Sequence, residues 1–442
     1  MLYTRSLDIR YRADVLVAGG GPAGVAAAVS CARALRGTGS VLLLEQSGTF
    51  GGSSTLAGVP ELMNFDDGRH FLAKGFGEAV YRALYGACPM DRSWPTVRPH
   101  RLKRVYDTLM MSSGAAFLFY SRVTDLIVRD GRVTHAVVSG PEGLYAVETG
   151  IVIDCTGSGA VCALAGCGYD YGDESGTAMP ATLCSLWGGV DFARKGSDGA
   201  GLARALRDGL FSQYDTVLPG IKPTFPEVGV GGGNVGHCFA VRDTDAASLT
   251  AAMTEGRRRL EEYETYYRTR VPGCENAVLM DSADYLGIRE SRRIRCLKTL
   301  SEADFADQTV REDEIGRYSY PIDIHPMTAD DAGMQGFGKA VSRRHADGES
   351  YGIPYGCLVP RDARNLLVAG RCIGADRAMQ ASVRVIPGCY ITGQAAGAAA
   401  ALCVRDRCDP ADADVGALRA LLAQLCEPSG KYEDGQHKEG QL

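Results

Sequence analysis

"DVLVAGGGPAGVAAAVSCARAL" (14–35), followed by "SVLLLEQ" (40–46), decides how this chain is read. The apolar run at 14–18 is a short strand, the alanine-rich run after it a helix, and the second apolar run a strand that ends at Glu45. Gly19, Gly21 and Gly24 stand between strand and helix as G-x-G-x-x-G, and the acid follows 21 positions after the last glycine. The first glycine makes the turn, the second lets the backbone approach a pyrophosphate, and the third seats helix on strand. Glu45 is then expected to accept hydrogen bonds from ribose hydroxyls. Two strands, a helix and an acid in register are far more specific than three glycines alone.

Working outward, 442 residues are enough for two or more cores, and 56 glycines imply many tight turns and close backbone approaches. A net charge of −6 leaves no general basic footprint for nucleic acid. No apolar stretch of about 18 residues suggests a membrane span. "MLYTRSLDIRYRADV" lacks a signal-peptide core, so a cytoplasmic protein acting on a small molecule is expected. The 15 cysteines include no C-x-x-C; Cys155, Cys162 and Cys167 sit among Ala, Leu and Gly as reduced core thiols would, and no metal is expected.

"GGSSTLAG" (51–58) is a second glycine-rich loop suited to lie along an extended cofactor. A helix is expected near 99–113, then a hairpin turning at Asp130-Gly131, then a buried strand closing on Thr156-Gly157, where a dinucleotide fold meets its ligand. From about 181 to 345 the character changes. "LTAAMTEGRRRLEEYETYYRTRVPG" (249–273) reads as an amphipathic helix with Arg257 to Arg259 on a solvated face. "LGIRESRRIRCLKTL" (286–300) is arginine-rich and precedes Ser301, a helix cap. "YSYPIDIHP" (318–326) alternates, putting Asp323 and His325 on one face of a strand. "NLLVAGRCIG" (365–374) is a last strand ending in glycine, and "SVRVIPGCYITGQAAG" (382–397) predicts a helix starting near Pro387, with small residues that let another body approach its positive end.

Together these stretches, with "VPGCENAVL" (271–279) and "YGIPYGCLVP" (351–360), resemble the FAD-dependent oxidoreductases that share the glutathione reductase nucleotide fold, distantly related to fumarate reductase and succinate dehydrogenase flavoproteins. The resemblance implies FAD, with contacts from Gly19, Gly21, Pro22, Ala23 and Gly24, from Glu45 and Gln46, and from Gly51, Gly52, Ser53 and Ser54. It adds Val123, Thr156, Gly157, Gly370 and Arg371, and it aims the helix at Pro387 and Gly388 toward the isoalloxazine, where a helix dipole favours the anionic reduced ring. Some positions depart from the relatives. Ser158 and Ala160 stand where aspartates are common, and Arg371 stands where an Asp would be, so that a cation would pair with pyrophosphate. No His lies in 51–58 and no His-Pro-Thr-Gly occurs, which implies noncovalent FAD and a substrate other than fumarate. A single dinucleotide fingerprint argues against a second unit for NAD(P)H, and a disulfide reductase would need a redox-active pair.

Flavin chemistry still needs a base, and Asp323 with His325 is the best pair, the carboxylate orienting the imidazole. Arg289, Arg292 and Arg293 are candidates to clamp a carboxylate or polarise a carbonyl, although Glu290 among them fits an ion-pair network equally well. Arg384 is a candidate for the flavin edge or a substrate anion, and Tyr355 for a hydroxyl over the ring. The expected fold is α/β: a Rossmann-type FAD-binding domain, parallel sheet plus β-meander, from 1–180 and 350–426, an inserted mixed α+β substrate domain at 181–349, and a disordered tail at 427–442. The expected function is oxidation or desaturation of a small organic substrate, with proton abstraction, hydride transfer to flavin N5 and an unidentified electron acceptor. An FAD monooxygenase using NAD(P)H and O2, or a non-redox hydratase or isomerase holding FAD structurally, is the alternative. Self-association is left open.

Overall fold

In the computed structural model, which describes residues 4–199, 201–217 and 220–427, the glycine turn forms as read. Strand β1 (Ile9–Ala18) feeds helix α1 (Pro22–Leu35), and β2 (Val41–Leu44) returns parallel to β1. Helices α2 (Phe76–Tyr85) and α3 (Pro99–Ser113) lead to β3 (Ala116–Leu118), parallel to β2. β4 (Arg122–Arg129) and β5 (Arg132–Gly140) pair antiparallel about Asp130 and Gly131, whose φ values of 51° and 74° are the paired positive angles a two-residue hairpin uses. β6 (Gly143–Asp154) runs antiparallel to β5 and then parallel to β1.

The chain then leaves this sheet through α4 (Ala160–Leu164) and β7 (Tyr169–Tyr171). β8 (Ser185–Gly188), α5 (Leu202–Arg207), β9 (Ile221–Phe225), β10 (Val230–Gly233), α6 (Ala246–Arg270) and β11 (Val278–Ser282) follow. The strands among them form a second sheet in the order β11-β8-β10-β9, with its own core around Trp187, Tyr263, Tyr266 and Tyr267. β12 (Arg292–Ile294) pairs with β7, and, after α7 (Glu302–Asp307), β13 (Glu314–Tyr318) precedes α8 (Asp331–Val341) and pairs with β14 (Tyr351–Pro354). β15 (Leu366–Val368) rejoins the first sheet parallel to the end of β6, completing seven strands. α9 (Arg377–Val383), α10 (Ile386–Asp406) and α11 (Val415–Cys426) close the described chain. The fold is therefore mixed α/β, with a parallel-rich Rossmann-like sheet and additional smaller sheets.

The main core is a seam between α1 and α10. A Cβ added at Gly393 or Gly397 would come within 2.2 and 2.1 Å of the carbonyl oxygens of Ala23 and Ala27, so only glycine lets the two backbones lie this close. Every α10 residue from Ile386 to Cys403 is buried. Among the described residues no single helix is long and apolar enough to cross a membrane.

Several local expectations are corrected. β13 stops at Tyr318, so Asp323 and His325 lie on an irregular segment and not on a strand. Pro321 and Pro326 lack the N–H a ladder needs, and Tyr318 pairs with the first residue of β14. α10 begins at Ile386, one residue before Pro387. Arg257 and Arg258 are exposed as expected, but the helical period carries Arg259 to the flank of the buried face of Gly256, Leu260 and Tyr263, where it donates to the carbonyl of His237 at 2.7 Å. Ser301 does cap α7, with Asp304 completing a capping box. Residues 428–442 of the expected tail lie outside the described residues.

Candidate active site and cofactor cradle

The expected cofactor residues gather at the N-terminus of α1. No side chain caps that helix, and an atom added at Gly21 would meet nothing within 4 Å, so the turn leaves free N–H groups and open space as a pyrophosphate would require. Gly51 donates to the Gly20 carbonyl at 2.9 Å, which seats the 51–54 turn beside Gly21 and Pro22, and the buried Oγ of Ser54 has no hydrogen-bond partner. Gly370 lies against Ala23 and Cys389, between the first turns of α1 and α10. Val123 pairs with Val138 on β4, two residues beyond Ser121, whose N–H donates to the Glu45 carbonyl. Gln46 is exposed beside Glu45. This arrangement fits FAD.

Glu45 is buried, and its carboxylate accepts from the N–H groups of Gly20 and Ser47, each at 2.7 Å. Each carboxylate oxygen keeps a lone pair for a ribose hydroxyl. Thr156 caps the turn after β6, accepting from Ala160 N–H at 3.0 Å while donating to Asp154. The Arg371 guanidinium donates to the carbonyls of Gly157 and Ile288, so a phosphate would meet only the donors those carbonyls leave.

The helix pair α9 and α10 bends by 95° at Arg384-Val385. The elbow presents the uncapped N-terminus of α10 and projects Arg384 toward Asp323, whose carboxylate accepts from it at 3.0 Å and from the Tyr320 hydroxyl at 3.3 Å. Asp323 Oδ2 is also 3.4 Å from His325 Nε2. The other ring nitrogen, Nδ1, lies 2.8 Å from Nε2 of His237, and Nδ1 of His237 lies 2.8 Å from Asp215. Arg289 closes the group, donating to the carbonyl of Pro180 at 2.9 Å and to Asn234 at 3.3 Å. Asp215, His237, Arg289 and His325 are all buried.

Burial, followed by the charge of Arg289, pushes the His325 imidazole down to about 3, against the pull of Asp323. Burial likewise lowers His237 in spite of Asp215. Both rings are therefore neutral. Burial alone would raise Asp323, but its basic neighbours, the guanidinium groups of Arg384 and Arg289 among them, outweigh it and hold the carboxyl well below the usual range. At Asp215 burial is outweighed by His237, and the result is again a lowered carboxyl. Arg289 is brought down to about 10 by burial and then by Arg384.

Of the candidates, Asp323, His325, Arg384 and Arg289 come together, and Tyr355, Arg292 and Arg293 stand apart. Tyr355 is a core strut, its buried hydroxyl donating to the Pro410 carbonyl at 2.8 Å. Arg292 donates to the Ser158 carbonyl at 2.9 Å and lies over the Tyr169 ring, bracing β12 on the turn after β6. Glu290 belongs to the ion-pair network that was the competing reading of the arginine-rich stretch, bonding Arg293 at 2.6 Å and Arg377 at 3.1 Å. Sequence reading missed His237 and Asp215. They are 22 residues apart, and His237 is 88 from His325, so no local spacing announces them.

Two solved structures to which the chain is similar are a geranylgeranyl bacteriochlorophyll reductase-like protein from Thermoplasma acidophilum and p-nitrophenol 4-monooxygenase PnpA from Pseudomonas putida DLL-E4. The first is 13% identical, with 94% of this chain and 92% of that chain covered and a TM-score of 0.43. The second is 14% identical, with 93% and 84% covered and a TM-score of 0.43. No curated protein sequence matches the chain. The family described as FAD dependent oxidoreductase matches residues 14–422, from β1 into α11. A match of that extent takes in the cradle, the elbow and the histidine cluster alike, and the chain belongs to the FAD dependent oxidoreductases, enzymes of the oxidoreductase type that use FAD.

Proposed function

We propose that the enzyme oxidises or desaturates a small organic substrate, with His325 as the base. The observation that carries this reading is the Asp323–His325 pair, its imidazole buried, held by Arg384 at the elbow two residues before α10. FAD, when bound, supplies a two-electron acceptor. It would be held noncovalently by the α1 turn, the 51–54 loop and Glu45, with the N-terminus of α10 as the favourable field for a reduced ring.

The substrate loses two hydrogens. One would leave as a proton to the neutral imidazole of His325, and the other would leave with its electron pair to the acceptor that bound FAD supplies. Asp323, kept anionic by Arg384, stabilises the imidazolium so formed. A substrate anion set against Arg289 would cancel the second cause of the low basicity of His325 and bring the base closer to its task.

In this reading 1–180 and 350–426 form the FAD unit and 181–349 cover the substrate. The kinship with glutathione reductase-like and fumarate reductase flavoproteins and a cytoplasmic location belong to the same proposal. His325→Ala tests it: flavin content should stay normal while anaerobic flavin bleaching, followed during a metabolite screen, slows by about 10² to 10⁴ for an active substrate. An unchanged rate at saturating substrate removes His325 from the mechanism. Bleaching by NADPH without any organic electron donor turns the reading to a monooxygenase.

A further inference from the structure

Two neutral imidazoles bring two ring protons to a line of three contacts. The contacts measure 2.8 Å from Asp215 to His237, 2.8 Å between the rings, and 3.4 Å from His325 to Asp323. Asp215 can only accept, and it already accepts from the N–H groups of His237 at 2.9 Å and Val217 at 3.0 Å. Nδ1 of His237 therefore carries a proton toward Asp215, and its Nε2 is an acceptor. Nδ1 of His325 must then donate to it. The two protons fill the two short contacts, and the third, longer than an ordinary N–H···O bond, holds none.

We propose that Asp215 and His237 are positioning residues that fix His325 in its Nδ1–H form and thereby leave Nε2, on the side of Asp323 and Arg384, as the atom that accepts the substrate proton. The inference rests on His325 being the base. The proton taken from substrate enters the one empty contact, where Asp323 receives its hydrogen bond, and all three contacts are then filled. The opposite tautomer of His325, with His237 still donating to Asp215, would face two lone pairs at 2.8 Å between the rings. The line is held from outside by Arg259, which donates to the His237 carbonyl, and by the Phe337 ring of α8, 4.9 Å from His325.

Nitrogen NMR of the FAD-loaded protein, labelled with ¹⁵N at histidine, reads the tautomers directly at neutral pH. His237 and His325 should both show protonated Nδ1 and bare Nε2; a protonated Nε2 on His325 overturns the proposal. In Asp215→Asn the amide oxygen should turn to His237, where two N–H donors meet it, and not to the single donor of Val217, so His325 keeps its tautomer and most of its rate. Asp215→Ala should instead release His325 toward the Nε2–H form that free imidazole favours and slow flavin bleaching by roughly 10- to 100-fold at unchanged FAD content. An alanine variant with the tautomer and rate of the asparagine variant also overturns the proposal, and if the alanine variant fails to fold the wild-type spectrum decides alone. That spectrum is independent of the base assignment, which fails separately if His325→Ala bleaches at the wild-type rate.

Discussion

At the α1–α10 seam the closest approaches are between backbones, with glycine against carbonyl. Around His325 each short contact joins polar side chains, brought from the segments before β9, after β10 and after β13. The first region is rigid because nothing can be added to it at Gly393 or Gly397, and burial pushes its thiols, Cys31 and Cys389, up and away from neutral pH. The second tolerates a change of shape better than a change of protonation, since its order depends on which nitrogen carries which proton. Volume should break one region and protons the other.

Gly397→Leu is the severest test. Its Cβ alone would lie 2.1 Å from the Ala27 carbonyl oxygen, and neither backbone can yield without parting the helices, so a loss of at least about 3 kcal/mol is expected in denaturant unfolding. A wild-type midpoint would mean the seam is looser than its geometry. Gly21→Val adds volume where no protein atom stands within 4 Å. The apoprotein should therefore unfold like wild type while FAD affinity, measured by titration, falls about 100-fold or more, roughly 2.7 kcal/mol. Yellow protein of full occupancy would remove this turn from the cofactor site.

Acid should then separate the regions. His237 and His325 are depressed in the folded state, so below about 6.5 the unfolded chain binds protons that the native chain refuses. Their contribution to stability is present at neutral pH and is lost as pH falls from there toward about 3 at His325. Asp215 and Asp323, also lowered, add to the same acid loss further down. The slope from the buried His325 amounts to at most about 1.4 kcal/mol per pH unit. Melting temperatures between pH 7 and 4 should fall less steeply in His325→Gln than in wild type, while Gly21→Val should keep the full slope. Equal slopes in all three proteins would mean that the acid sensitivity arises outside the cluster.

What could be read in advance follows the same division. Gly19 to Glu45, the Asp130-Gly131 hairpin and the Ser301 cap are specified by residues a few positions apart, where turn chemistry and helix capping act locally. The site was half visible: Asp323 and His325 are two residues apart and do meet, although by way of an irregular segment that prolines keep out of the sheet. Arg384 could be named in advance because it adjoins the helix start, and it does bond Asp323. Tyr355 and Arg292 misled because a tyrosine or arginine near a glycine-rich stretch bonds a nearby carbonyl as readily as a ligand. His237, in "NVGHCFA" (234–240), carries no spacing signal of any kind; only the folding of a distant loop against it makes it part of a site.

The pairing of β15 with β6, and of α10 with α1, also bears on how the protein is made. The first dinucleotide unit leaves the ribosome with its alanine face bare, because the helix that covers it ends at Asp406. At 5 to 20 residues per second, translation from Leu35 to Asp406 takes roughly twenty to seventy seconds, and during this interval the nascent chain must keep that face away from other chains. The cradle's α10 wall arrives long after its α1 turn, so the cradle can close around a flavin only once Asp406 has emerged.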